Sequence, residues 1–172
     1  RLARKGVGGV CTFVNNNWCT NVVVREQFCF ADIELLSLAL RPFYLPREFN
    51  QIFVTVVYIH PKADSKIAAA KIRSVTHGLF SSSPESPCFI LGDFNKCRLN
   101  RDLPSYYQYV TCPTHSTNTI DLCYGSIPRA YVARPLPGLG RCQHNMLQLV
   151  PTYRQRLKQT KPVPREIKVW TR

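Results

Sequence analysis

Four consecutive apolar residues, Cys88-Phe89-Ile90-Leu91, run directly into Gly92-Asp93-Phe94-Asn95 and constrain this chain more than any other stretch. An apolar run without polar alternation reads as a strand buried on both faces, so the sheet that contains it must be covered on both sides. Further strands are expected from β-branched and aromatic residues at strand-like spacing: Gly9 to Val14, Asn21 to Arg25, Ile33 to Arg41 and Ile52 to Ile59. Thr119 to Tyr124, Ala130 to Ala133 and Met146 to Val150 complete the set. Asn15-Asn16-Asn17 suits a hairpin turn between the first two strands, because Asn tolerates left-handed backbone. Ala68, Ile72, Val75 and Leu79 recur at helical spacing, with Asp64 or Ser65 as N-cap and Gly78 near the end. Strands interrupted by one amphipathic helix place the chain in the α/β class.

A length of 172 residues, 45% of them apolar, supplies a sizeable core, and 19% charged residues exclude the disordered and coiled-coil classes. The division expected is one domain over residues 1–150 and a basic, Pro-containing tail or linker over 151–172. The tail carries Arg154, Arg156, Lys158, Lys161, Arg165, Lys168 and Arg172 against Glu166 alone, which is nearly half of the formal net charge of +13. Such a charge attracts polyanions, and Arg154, Arg156, Lys158 and Lys161 are the candidate contacts to the phosphate backbone of DNA or RNA. The eight cysteines form no Cys-x-x-Cys pair, and several lie inside strand-like runs. They are expected to be buried free thiols in a reducing, intracellular compartment. Cys112, His115, Cys123, Cys142 and His144 have the wrong spacings for the common zinc modules. No apolar run approaches the roughly 18 to 20 residues that span a bilayer, and no membrane partner is expected. Because the chain begins with Arg1 and its one methionine is Met146, it reads as a fragment.

Chemistry is expected where the apolar strand stops. A carboxylate and a carboxamide two residues apart on an extended chain, Asp93 and Asn95, point to the same side and could reach one phosphate or one water. By themselves these residues also suit a structural turn. They belong, however, to an ordered set: Val57-Tyr58-Ile59-His60-Pro61, Gly92-Asp93-Phe94-Asn95, Thr119-Ile120-Asp121-Leu122 and Cys142-Gln143-His144-Asn145. That set resembles the endonuclease/exonuclease/phosphatase superfamily, and within it the apurinic-endonuclease-like domain of LINE-type (non-LTR) retrotransposons. The likeness extends from Gly6-Val7-Gly8-Gly9-Val10, through Phe43-Tyr44-Leu45-Pro46, to the basic stretch that begins at Tyr153.

The resemblance implies a four-layer α/β sandwich, two packed mixed β-sheets flanked by helices, incomplete here because the family's N-terminal strands would precede Gly6. It also implies catalytic roles. Asp93 would activate the attacking water or protonate the leaving group, Asn95 would hold the water and a phosphate oxygen, and Tyr58 would donate its hydroxyl to the scissile phosphate. His144 would stabilise charge on the phosphate, with Asp121 orienting its imidazole. Mg²⁺ is the implied cofactor, a reverse transcriptase domain in the same polyprotein the implied partner, and the nucleus the implied site of action.

Two departures bear on activity. Where the family has Ser-Asp-His, this chain has Cys142-Gln143-His144, so a metal-site carboxylate is replaced by a neutral amide, which weakens Mg²⁺ binding. The family's metal-binding glutamate lies on the strands expected to be missing. Glu34 matches a family strand position without being that ligand, and an ordinary polar or ion-pair contact is expected for it. The function implied is a DNA endonuclease domain whose nick primes reverse transcription, with hydrolysis impaired. The alternatives are a catalytically degenerate nucleic-acid-binding remnant and a non-catalytic interaction fragment. A lipid- or inositol-phosphatase activity of the wider superfamily ranks below these.

Overall fold

A computed structural model describes residues 2–4 and 7–153, with side chains from residue 9 onward. Its elements are β1 (Leu2–Arg4), β2 (Val7–Val10), β3 (Asn21–Cys29), β4 (Ile33–Arg41), β5 (Ile52–Ile59), α1 (Ser65–Ser82), β6 (Cys88–Asp93), β7 (Tyr107–Gln108), β8 (Asp121–Gly125), β9 (Tyr131–Leu136) and β10 (Met146–Pro151). Six strands form one sheet in the order β3-β4-β5-β6-β8-β7, while β1-β2 and β9-β10 are separate two-stranded sheets. Every pairing in the main sheet is antiparallel except β5–β6, which is parallel and requires the crossover through α1.

Alternation along the strands divides the main sheet into two apolar faces. On one, Ile33, Leu35, Phe53, Val57, Ile59, Ile90, Leu122 and Tyr124 pack with Ala68, Ala69 and Ile72 of the helix. Ser37 and Thr55, the polar residues of that face, share a buried hydrogen bond of 2.9 Å. On the opposite face, Leu38 and Leu40 cluster with Cys19, while Phe89 and Cys123 pack with Tyr109 and with Ala133 of β9. The Cys88–Leu91 strand is therefore covered on both sides, as its composition requires. A mixed α/β sandwich results, with a six-stranded sheet, a helix on one face and small sheets nearby.

Several local expectations need correction. The helix is capped by Asp64, whose carboxylate accepts from the amides of Lys66 (2.8 Å) and Ile67, but it continues past Gly78 to Ser82. Pro84 follows at once, and Pro cannot extend a helix. Asn15–Asn17 does form a turn, with the Asn17 and Trp18 amides bonded to Asn15, yet it joins no hairpin. Strand β2 ends at Val10 and pairs with β1, whereas β3 pairs with β4. The strand expected from Thr119 starts at Asp121, because the Ile120 and Asp121 amides bond to a side chain instead of a neighbouring strand. Residues 154–172 of the basic tail lie outside the described residues.

Gly92 sits at the position that joins fold to site. Its φ is +141°, and a Cβ there would lie 1.9 Å from the carbonyl oxygen of Val57 on the parallel neighbour. Only glycine fits this close approach. Gly92→Ala is expected to cost on the order of 3 kcal/mol or more, from backbone strain plus the clash, and to lower the midpoint of urea unfolding measured by circular dichroism.

Candidate active site

Strand register builds the site before any side chain is considered. Tyr58 is the Cα partner of Glu34 on one side and of Asp93 on the other, and Asp93 in turn is the partner of Asp121. Directly opposed residues point to the same face of a sheet, so Glu34, Tyr58, Asp93 and Asp121 form one transverse row. It lies at the carboxyl ends of the two parallel strands, on the face away from α1.

Beyond the row, the turn after β6 is held on several sides. The Asn95 amide donates to Asp93 Oδ1 at 3.0 Å, and Asn95 Nδ2 donates to the Ile59 carbonyl at 2.7 Å. Asn95 has φ +47°, so the chain has left the extended conformation there. The two side chains are thus brought together by a turn in which Asp93 accepts from the backbone two residues on, not by strand alternation. Arg98 fastens this turn to the next segment, its guanidinium donating to the carbonyls of Asn95 (2.8 Å), Cys97 (2.7 Å) and Thr119 (2.9 Å).

His144 reaches the row from the segment before β10. Its Nδ1 lies 2.9 Å from Asp121 Oδ2, so the two side chains form a hydrogen-bonded dyad. Polar atoms of Asp93, Asp121 and His144 lie within 4.8 Å of one another. The structure thus brings together Asp93, Asn95, Asp121 and His144, with Tyr58 beside Asp93 in the row.

Two residues outside the expected set complete the arrangement. Thr114 is fully buried, and its Oγ1 accepts from the amides of Ile120 and Asp121, both at 3.0 Å, which fixes the start of β8. His115 is bridged to His144 through the backbone, and the two rings stand 4.8 Å apart. Gln143 is exposed, with Oε1 3.3 Å from His115 Nε2, so its carboxamide faces an imidazole. No motif marked these two residues: Thr114 acts on amides 6 and 7 positions further on, and His115 meets Gln143 from 28 positions away.

Glu34 corrects an expectation. Instead of making an ordinary polar or ion-pair contact, it is 5% exposed, and its Oε2 is buried without a hydrogen-bond partner.

Electrostatics follow from this crowding. Burial raises the Asp93 carboxyl above its ordinary value and the nearby Asp121 adds to the rise, while the Asn95 amide, His144 and His115 pull it down. Tyr58 is also raised, by burial first and then by Asp93 and Glu34, so its hydroxyl remains a donor at neutral pH. All eight cysteines are free thiols. Burial pushes Cys88 and Cys97 up to about 11 and Cys123 up to about 12, which leaves them unreactive. No cysteine joins the Asp93–Asp121–His144 group, the one cluster of potential metal ligands among the described residues. No helix among those residues is long and apolar enough to cross a membrane.

Two outcomes are expected from this geometry. Thr114→Val strands two buried amides and is expected to cost about 2 kcal/mol in chemical unfolding. Because the folded Asp93 carboxyl is raised, its ionised form opposes folding above that raised value and has no effect below the ordinary carboxylate range. Asp93→Asn should therefore raise Tm at pH 7, with the gain vanishing as the pH falls through that range.

No family profile and no curated protein sequence matches the chain. Solved structures do. The endonuclease domain of TRAS1, a telomere-specific non-LTR retrotransposon, superposes with a TM-score of 0.55 at 16% identity, covering 74% of this chain and 64% of that domain. An endonuclease/exonuclease/phosphatase family protein from Bacteroides thetaiotaomicron superposes with a TM-score of 0.48 at 11% identity, covering 68% of this chain and 54% of that one. The chain therefore spans less than two thirds of the length of either. Its fold is similar to that of the non-LTR retrotransposon endonuclease domain.

Proposed function

We propose that this chain is a metal-dependent phosphodiesterase domain of a retrotransposon polyprotein, cutting DNA to provide the primer for reverse transcription, with its hydrolysis weakened. The observation that carries this reading is the Asp121–His144 dyad, closed at 2.9 Å beside Asp93. A carboxylate that orients an imidazole, next to a carboxylate of raised affinity for protons, suits general acid–base work on a phosphodiester.

Asp93 is the proton acceptor for the attacking water. The Asn95 amide holds Oδ1, which leaves Oδ2 to take the proton. Asn95, anchored to Ile59 through one amide hydrogen, has its second amide hydrogen and its carbonyl oxygen for the phosphate and the water. Tyr58 donates its hydroxyl to a phosphate oxygen. His144, held through Nδ1, presents Nε2 to the phosphate, and Asp121 stabilises the imidazolium that neutralises charge developing there.

Mg²⁺ suits the donor set, because two carboxylates, Asp93 and Asp121, stand within reach of one another and hard cations take oxygen ligands. When bound it would neutralise phosphate charge and favour the ionised form of water. Gln143 contributes no charge to that site, and its contact with His115 accounts for the weakened hydrolysis in this reading. Arg154, Arg156, Lys158 and Lys161 would hold the nucleic-acid backbone, a reverse transcriptase domain would follow in the same polyprotein, and action would be nuclear. The second reading, a nucleic-acid-binding remnant without turnover, is favoured by Gln143 alone.

Relaxation of supercoiled plasmid by the purified chain in Mg²⁺ tests the proposal. Nicking is expected, abolished by EDTA and reduced at least 100-fold in Asp93→Ala and in His144→Ala. Salt-sensitive DNA binding without nicking, from a folded chain, selects the remnant. Loss of both overturns the nucleic-acid reading.

A further inference from the structure

Glu34 is the one member of the transverse row to which the proposed chemistry gives no task. Its position is unusual for a carboxylate. The residue is 5% exposed, its Oε2 meets no donor, and no Lys or Arg pairs with it among the described residues. Its neighbours make matters worse. Asp32 lies two residues earlier, and Asp93 follows in the row just beyond Tyr58. A buried carboxylate is normally hydrogen-bonded, paired or coordinated to a metal, and here the first two options are not taken. Beside it is a pocket of about 70 Å³ lined by Phe30, Asp32, Glu34, Tyr58 and His60. That space accepts water or a small ion, and its polar wall is made of oxygen and imidazole groups, while the Lys71 ammonium lies over the Phe30 ring, 3.3 Å from its centroid.

We infer that Glu34 is a carboxylate ligand of a divalent cation, seated at the mouth of this pocket on the flank of Tyr58 and linked to Asp93 through water. Mg²⁺ keeps several waters and takes one or two carboxylates, which matches a single buried ligand with a second carboxylate nearby. The inference deepens the phosphodiesterase reading by naming a source for the negative charge that Gln143 does not provide. It needs only the burial and the register of Glu34, so it can fail separately from that reading.

Mn²⁺ is the probe. Calorimetric titration of the metal-free chain is expected to show a site that is weakened at least tenfold in Glu34→Gln and shifted by a smaller factor in Glu34→Asp. In EDTA, Glu34→Gln should melt at or above the wild-type temperature, since the unpaired charge is gone, and the stabilisation that Mn²⁺ gives wild type should be lost. Wild-type affinity in a folded Glu34→Gln overturns the inference. Should that variant not fold, Mn²⁺ broadening of amide resonances in the wild-type chain decides the matter. Broadening that includes residues 33–35 and 57–59 supports Glu34, and broadening that leaves those residues unaffected overturns it. Plasmid nicking separates the two proposals. Nicking lost in Asp93→Ala alongside unchanged Mn²⁺ binding in Glu34→Gln leaves the phosphodiesterase and removes the Glu34 ligand. No nicking, with Mn²⁺ binding lost in Glu34→Gln, leaves a cation site without the nuclease.

Discussion

The parallel pairing of β5 with β6 is the constraint on which the site rests. It sets Tyr58 beside Asp93, and it does so by pressing Gly92 against the Val57 carbonyl. Antiparallel neighbours on either side then extend the same line to Glu34 and Asp121. Since side chains alternate faces with a period of two, a one-residue slip in any of these ladders would turn a site residue into the helix-facing core. The apolar alternation that buries Val57 and Ile59 under α1 therefore also aims Tyr58, which lies between them, to the other side.

Local bonds convert that line into a defined geometry. Asp93 takes the Asn95 amide, Arg98 ties the resulting turn to Thr119, and Thr114 holds the first amides of β8. The Asn145 amide donates to the Thr114 carbonyl at 2.7 Å, which brings the His144 segment alongside. The dyad is thus clamped from the backbone of two loops. Its imidazole is held in place by the protein's own structure.

Much of this was legible in the sequence, for identifiable reasons. The apolar Cys88–Leu91 run announced a strand covered on two sides, and the helical spacing from Ala68 to Leu79 located α1. Asp93, Asn95, Asp121, His144 and Tyr58 were singled out because each sits in a short motif in a fixed order. Thr114 and His115 were not, since a buried hydroxyl holding two amides and a bridge to residue 144 are set by the folded loops and by no local pattern. The Asn15 turn was visible but its partners were not, because turn chemistry says nothing about which strands will pair. The state of Glu34 was equally hidden: strand alternation allowed either face, and the absence of a partner is a property of the assembled neighbourhood.

Set beside the 2.9 Å link between Asp121 and His144, the parallel pairing has a temporal consequence. The dyad spans 23 positions, fewer than separate Tyr58 from Asp93 across the parallel pairing of β5 with β6. Contacts of longer range are the slow ones in folding, because loop-closure entropy must be met before they form. The parallel pairing is therefore the slower of the two closures. The row is complete only once that pairing is made, so an assembled candidate site reports that the sheet is fully registered.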